Sequence, residues 1–301
     1  MSKREGEQIW QDGSVAAYWD IITHTRVLEG TRSCQNAGYQ WTEVVTTHMA
    51  HLSKPQARVL ALWSLGRGLA RACALTAVSF FLAKGLERKP NTVRQQLREW
   101  GYEAKAKRGG PRQELEVEGC VTSFLAWVLS WWAGNQVASA VDATALGHRF
   151  VVLGVSVVYR DCAIPVAWTV LPATEKQAWR GEGLRRLRQV RAAVPRRFFV
   201  MVLADRGLSA RWLVQRLVRW GWHPLLRIKT GGTFRPAASV PSQPLRELGP
   251  EPGTQWVGTG TAFQGPRRRL NCTLLARWDE GYRDPWLLLT ALAPRAGAAC
   301  W

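Results

Sequence analysis

Carboxylates are scarce in this 301-residue chain. It has 22 Asp and Glu against 41 Lys and Arg, a formal net charge of +19 and a pI near 10.7. An excess of that size disfavours basic partners and favours a polyanion, nucleic acid before membrane; the plain alternatives are a solvated basic surface or a ribosome-type protein. Paired cysteines are lacking as well. Cys34, Cys73, Cys120, Cys162, Cys272 and Cys300 are scattered, with no Cys-x-x-Cys pair. That argues against a zinc site and a disulfide framework and fits a reducing compartment. Long hydrophobic runs are also missing. The most apolar stretch, 72–83, is too short to span a bilayer and is flanked by Arg71 and Lys84. Lys3 and Arg4 precede no apolar core, so the amino terminus does not read as a secretory signal.

Tryptophan, in contrast, is abundant, with 17 in all. Most are expected in the core, because large aromatic side chains bury well. The few acids gain weight from their scarcity, and two stand out. Asp142 closes the run Val137-Ala138-Ser139-Ala140-Val141, and Asp205 closes Phe198-Phe199-Val200-Met201-Val202-Leu203-Ala204. Apolar, β-branched-rich runs of this length read as buried strands. Open α/β sheets put their chemistry at the carboxyl ends of such strands. Two carboxylates there can hold magnesium, and magnesium beside a cationic surface suits work on phosphodiesters. The plain alternative is a pair of strand-end or capping aspartates. Asp161 and Glu175 read as a turn residue and a helix-start residue.

Residues 1–35 show no clear period and are expected to be loosely ordered. From Ser53 to about Glu103 the pattern is helical. Ser53-Lys54-Pro55 is a start signal, followed by Val59, Leu60, Leu62, Trp63 and Leu65 at helical spacing. A second helix is predicted over 73–82, stopped by Gly85. The third starts at Lys89-Pro90, with Val93, Leu97 and Trp100 on one face and Arg94, Gln95, Gln96 and Arg98 on the other. Residues 36–104 therefore form a helical domain. It is either a DNA-reading module presenting Arg94, Gln95 and Arg98 or an ordinary helical subdomain with a solvated face. The basic, glycine-containing stretch 105–116 reads as a linker.

Beyond the linker a buried helix is predicted over 121–132. Strands follow at 137–142, 150–159 and 164–171, then a helix over 175–190, the strand ending at Asp205, a helix over 209–220 and a strand over 224–228. Three consecutive strands suggest an antiparallel meander, and the later alternation suggests parallel crossovers. Residues 117–229 make this core. Residues 230–301 read as a β-rich insertion: a proline-rich loop over 236–252, then strands at 255–262, 270–278 and 286–290.

This order, with aspartates closing the first and fourth strands, resembles a ribonuclease H-like fold: a mixed α/β sheet with flanking helices and a β-rich insertion, preceded by a small helical domain. Val141-Asp142-Ala143-Thr144 and Leu203-Ala204-Asp205-Arg206-Gly207 resemble the first two acidic motifs of the DDE transposases of bacterial insertion sequences. The β insertion after the fifth strand narrows the resemblance to the family named for insertion sequence 4, over roughly 53–301. The family's third acid is a glutamate on a later helix, in the pattern Tyr-x2-Arg-x3-Glu-x6-Lys, and this chain has no such pattern. The acids after Asp205 are Glu247, Glu251, Asp279, Glu280 and Asp284, all expected in loops and turns. The chain therefore resembles a family member cut short before its last catalytic helix.

The resemblance implies DNA transposition, with metal-dependent cleavage and strand transfer at insertion-sequence ends. Two Mg2+ ions about 4 Å apart would do this work. Asp142 would bridge both ions, Asp205 would hold one, and the missing glutamate the other. It further implies double-stranded DNA at the transposon ends as partner, a homodimer in the DNA complex, no membrane, and a cytoplasmic, nucleoid-associated location. Arg206, Arg211, Lys229, Arg267, Arg268 and Arg269 are candidate backbone contacts. Lys176 could reach the scissile phosphate or be a solvated lysine. Trp256 could stack on an unpaired base or pack its own hairpin. With the third acid missing, catalysis is expected to be incomplete. The alternative reading is a non-catalytic DNA-binding remnant that acts as an inhibitor. A stand-alone ribonuclease H-like nuclease would need a third acid.

Overall fold

The computed structural model describes residues 31–107, 113–160, 162–174, 179–236, 240–263 and 269–299. Residues 1–30, the middle of the expected linker (108–112), Asp161, Glu175, Lys176, Arg267 and Arg268 lie outside them. The chain divides into two compact units, Met1–Trp127 and Val128–Trp301.

In the first unit the start signal at Ser53 acts as expected. The Ser53 N–H donates to Gln56 Oε1 at 2.9 Å, which supplies a partner for a backbone group left free at the helix start. The helices are α1 (Thr31–His48), α2 (Lys54–Ala70), α3 (Leu75–Gly85) and α4 (Pro90–Trp100). Val59 and Leu62 of α2, Val78 and Leu82 of α3, and Val93 and Leu97 of α4 form one buried cluster, flanked by Trp63 and Trp100.

No helix was singled out before Ser53, although 36–48 lies in the expected helical domain, and α1 also takes in residues 31–35, expected to be loosely ordered. Its sequence is polar and its second half is rich in β-branched residues, which weakens both the periodicity and the propensity signal. Three threonine hydroxyls donate back one turn: Thr42 to the Gly38 carbonyl, Thr46 to Thr42 and Thr47 to Glu43. Tertiary packing holds the helix. Val45 and Met49 sit in a second cluster with Leu52, Ala57 and Ala61, and Leu115, Cys120 and Phe124 pack on it. Those last contacts carry the first unit past the basic stretch into helix α5 (Val117–Ser130).

The second unit is built on a ten-stranded sheet in the order β3-β2-β1-β4-β5-β10-β9-β8-β6-β7. The strands are β1 (Gln136–Leu146), β2 (Phe150–Tyr159), β3 (Cys162–Pro172), β4 (Phe199–Ala204), β5 (His223–Arg227), β6 (Thr233–Arg235), β7 (Gln243–Pro244), β8 (Gln255–Ala262), β9 (Leu270–Arg277) and β10 (Trp286–Thr290). β1, β2 and β3 form an antiparallel meander. β4 runs parallel to β1, and β5 parallel to β4. Their connections contain α6 (Trp179–Ala193) and α7 (Arg211–Arg219), the crossover helices that parallel neighbours require. This is a ribonuclease H-like arrangement of a mixed α/β fold.

The β-rich part is not a separate layer. β10 pairs antiparallel with β5 (Leu288↔Arg227, Leu289↔Leu226, Thr290↔Leu225), so β6 to β10 continue the central sheet. Leu225, Leu275 and Leu288 are buried across that junction, with Met201, Leu203 and Val257 packed on them. The proline-rich loop contains a short 3-10 turn, Leu245–Leu248, anchored by its two buried leucines. A short helix α8 (Pro294–Ala298) follows β10. Among the described residues no single helix is long and apolar enough to cross a membrane.

Candidate functional site

Strand β1 alternates cleanly. Val137, Ser139 and Val141 are buried, while Ala138, Ala140 and Asp142 share the other face. In β4 the buried set is Val200, Val202 and Ala204, which leaves Met201 and Leu203 on the face that Asp205 continues. The parallel ladder between the two strands ends at Val141↔Ala204. One step further along are Asp142 and Asp205. Asp142 is still within β1 and Asp205 is the first residue after β4, so the two directly follow the last paired positions of adjacent strands. β1 runs on to Leu146 against β2, so Asp142 is inside its strand rather than at the tip. It is, however, at the end of the parallel ladder. After Asp205 the chain turns at once: the Asp205 carbonyl accepts from Leu208 N–H at 2.9 Å and from Ser209 N–H at 3.1 Å.

Both aspartates are exposed. Asp142 Oδ2 accepts a hydrogen bond from Thr144 Oγ1 at 2.7 Å. Across the ladder Asp142 faces Gly154, where an added Cβ would meet nothing within 4 Å. Space beside the Asp142 carboxylate is therefore open. Continuing the register from β4 to β5, Ala204↔Leu226 is followed by Asp205 beside Arg227. Arg227 Nη1 lies 3.8 Å from Asp205 Oδ1, and its guanidinium carbon sits 4.0 Å from the Trp286 ring centroid. Asp142, Asp205, Arg227 and Trp286 thus form a row over four successive strands at one end of the sheet. Sequence reasoning missed Arg227 and Trp286. Arg227 ends an unremarkable apolar strand, and its partner Trp286 is joined to it only by the β5–β10 pairing.

The later acids are distributed as loops and turns dictate. Glu247 is exposed on the 3-10 turn, and Glu251 lies before β8. Asp279, Glu280 and Asp284 lie in the β9–β10 connection, which leaves the sheet at the same end as the row. β10 and β9 intervene, and Asp279 Oδ1 is held by Arg277 Nε at 2.7 Å. Among the described residues no cluster of three or more His, Cys, Asp and Glu side chains forms. Two exposed carboxylates at adjacent positions suit one hydrated Mg2+, which needs few protein oxygens and keeps several waters. A pair of ions would call for further oxygen ligands.

Of the basic candidates, Arg206 and Lys229 are exposed directly after β4 and β5, at the same end of the sheet as the two aspartates. Arg211 Nε donates to the Arg269 carbonyl at 3.4 Å, which brings those two arginines together. Trp256 is half-buried and meets the fully buried Phe234 edge-on at 5.7 Å. Its ring also lies against Gly258, so it packs its own hairpin. In the first unit Arg94 is exposed on α4. Arg98 is exposed over the Tyr102 ring at 5.9 Å. Gln95 is half-buried and donates to Glu99 Oε1, which occupies its amide.

No family model matches the sequence, and no curated protein matches it. Several solved structures are similar, these two among them. One is a cryo-EM structure of a piggyBac transposase synaptic complex with hairpin DNA, at 12% identity and a TM-score of 0.36, covering 80% of this chain and 52% of that one. The other is a Mos1 strand transfer complex, at 18% identity and a TM-score of 0.21, covering 56% of each chain. The chain spans about half the length of either solved chain, and likeness at this level does not bear on individual residues or on activity.

Proposed function

We propose that this chain is a transposition-related DNA-binding protein of the DDE transposase type, of the family named for insertion sequence 4, with Asp142 and Asp205 as its metal-holding acids. The carrying observation is the register. Two exposed carboxylates stand at adjacent positions where the central parallel ladder ends, in a chain of net charge +19. Asp142 and Asp205 would hold Mg2+, which supplies charge neutralisation at a phosphodiester when bound. Arg206 and Lys229 border the same end of the sheet and would take the flanking phosphates, with Arg211 and Arg269 extending the track. Such contacts position DNA without reading its bases.

Two carboxylates rather than three favour a second reading, in which the chain binds DNA without cutting it and acts as an inhibitor. Loss of a metal ligand at a phosphoryl transition state costs several kcal/mol. The test is to incubate the 301-residue chain with supercoiled plasmid and Mg2+ or Mn2+, alongside a labelled-duplex binding assay. The duplex is expected to be retained and the plasmid left intact. Nicking that disappears in both Asp142→Asn and Asp205→Asn would show a complete catalyst and exclude the inhibitor reading. Nicking that survives both substitutions, or failure to retain the duplex, would overturn the proposal.

A further inference from the structure

The side chain of Arg227 is only 21% exposed, whereas that of Asp205 is 59% exposed. The guanidinium lies on Trp286, and Trp286 is in turn met edge-on by Tyr282 at 6.4 Å. At 3.8 Å the contact to Asp205 is an ion pair without a hydrogen bond. The aromatic stack, rather than the carboxylate, therefore fixes where this cation stands. A half-buried cation on an indole face is held more firmly than one paired in water.

Resting on the reading of Asp142 and Asp205 as an ion site, we propose that Arg227 is a positioning residue that supplies Asp205 with a built-in counter-charge and so weakens loading of a divalent cation at the pair. Two effects of the arginine oppose each other. It steadies the Asp205 carboxylate, which favours an ion, but a pair this open to water contributes little. It also places a fixed positive charge one strand from the ion. A unit charge and a divalent ion about 7 Å apart in a water-like medium repel enough to lower affinity by about five- to tenfold. Repulsion wins. An ion loading at this site then does so beside a cation that Trp286 holds in place.

The experiment is a Mn2+ titration of the full chain at low salt, with free ion counted by electron paramagnetic resonance. Wild type is compared with Arg227→Gln, Arg227→Lys, Trp286→Leu, Asp142→Asn and Asp205→Asn, and folding is checked by circular dichroism. Arg227→Gln is expected to bind about five- to tenfold more tightly. Arg227→Lys keeps the charge and is expected to stay near wild type. Trp286→Leu frees the guanidinium to move into solvent, so it shifts the same way as Arg227→Gln by a smaller factor. That variant decides the matter if Arg227→Gln does not fold. Unchanged or weaker binding in Arg227→Gln, or in Trp286→Leu where it must stand in, overturns this role while leaving the ion site intact. Absence of Mn2+ binding in wild type and every variant, or binding undiminished in both Asp→Asn variants, removes the ion site itself and this role with it.

Discussion

Cys272 lies buried on β9, and burial pushes its thiol up to about 11 from 9.0. An unfolded chain ionises this thiol above about pH 9, whereas the folded chain keeps it protonated until about pH 11. Between those values the unfolded state holds fewer protons, so raising the pH favours it. The contribution is fully present below pH 9 and is lost as the pH rises towards 11. The urea midpoint of wild type should therefore fall more steeply over that window than that of Cys272→Ala. Parallel curves would mean that the thiol is hydrated in the fold. The same scale separates what could be read of the candidate site from what could not. Asp142 and Asp205 were legible because each closes an apolar run with a carboxylate, a group that is outnumbered in this chain by its cations. Arg227 was not, since it is one arginine among many and acquires meaning only from the Asp205 and Trp286 side chains beside it.

Among the elements, α2 and α3 approach closely at Gly66. A Cβ built at Gly66 would stand 2.8 Å from Leu82 Cγ and Cδ1 and 2.9 Å from Val78 Cγ1. Both neighbours are fully buried, so neither has room to retreat. Replacing a mid-helix glycine with alanine gains about 0.5–1 kcal/mol of helix propensity. Overpacking a closed contact costs about 1–3 kcal/mol, so Gly66→Ala should lower the melting temperature. Gly68, two residues along the same helix, meets nothing within 4 Å, and Gly68→Ala should raise it. A rise in both would show that the α2–α3 crossing has room for a methyl group. Elements with strong local signals were legible: α2 from its cap, α4 from Lys89-Pro90, and β2 and β10 from apolar runs bounded by turn residues. Helix α1 was not, because its threonines mask the period. The union of β10 with β5 was not either, since strand neighbours far apart in sequence leave no local mark.

For the whole molecule the governing quantity is charge. Arg206, Lys229, Arg211 and Arg269 are the described candidates for backbone contact, and Arg94 and Arg98, on the candidate DNA-reading face, add two further positive charges. If about six phosphates are neutralised, log affinity for a duplex should fall with log salt at a slope of about −5, roughly a thousandfold between 50 and 200 mM. A flat response in a fluorescence titration would mean that the charge is only solvated surface. The sheet has a different consequence, in time rather than in binding. Its outer parts, β1–β2–β3 and β8–β9–β10, are meanders that close over short stretches of chain, whereas β1 meets β4, and β5 meets β10, only across long ones. Long-range pairings carry the larger loop-closure entropy and form more slowly. The row Asp142, Asp205, Arg227, Trp286 lies in or directly after the four strands joined by those late pairings. During refolding the row should therefore appear last, after the far-ultraviolet signal of the meanders has already recovered.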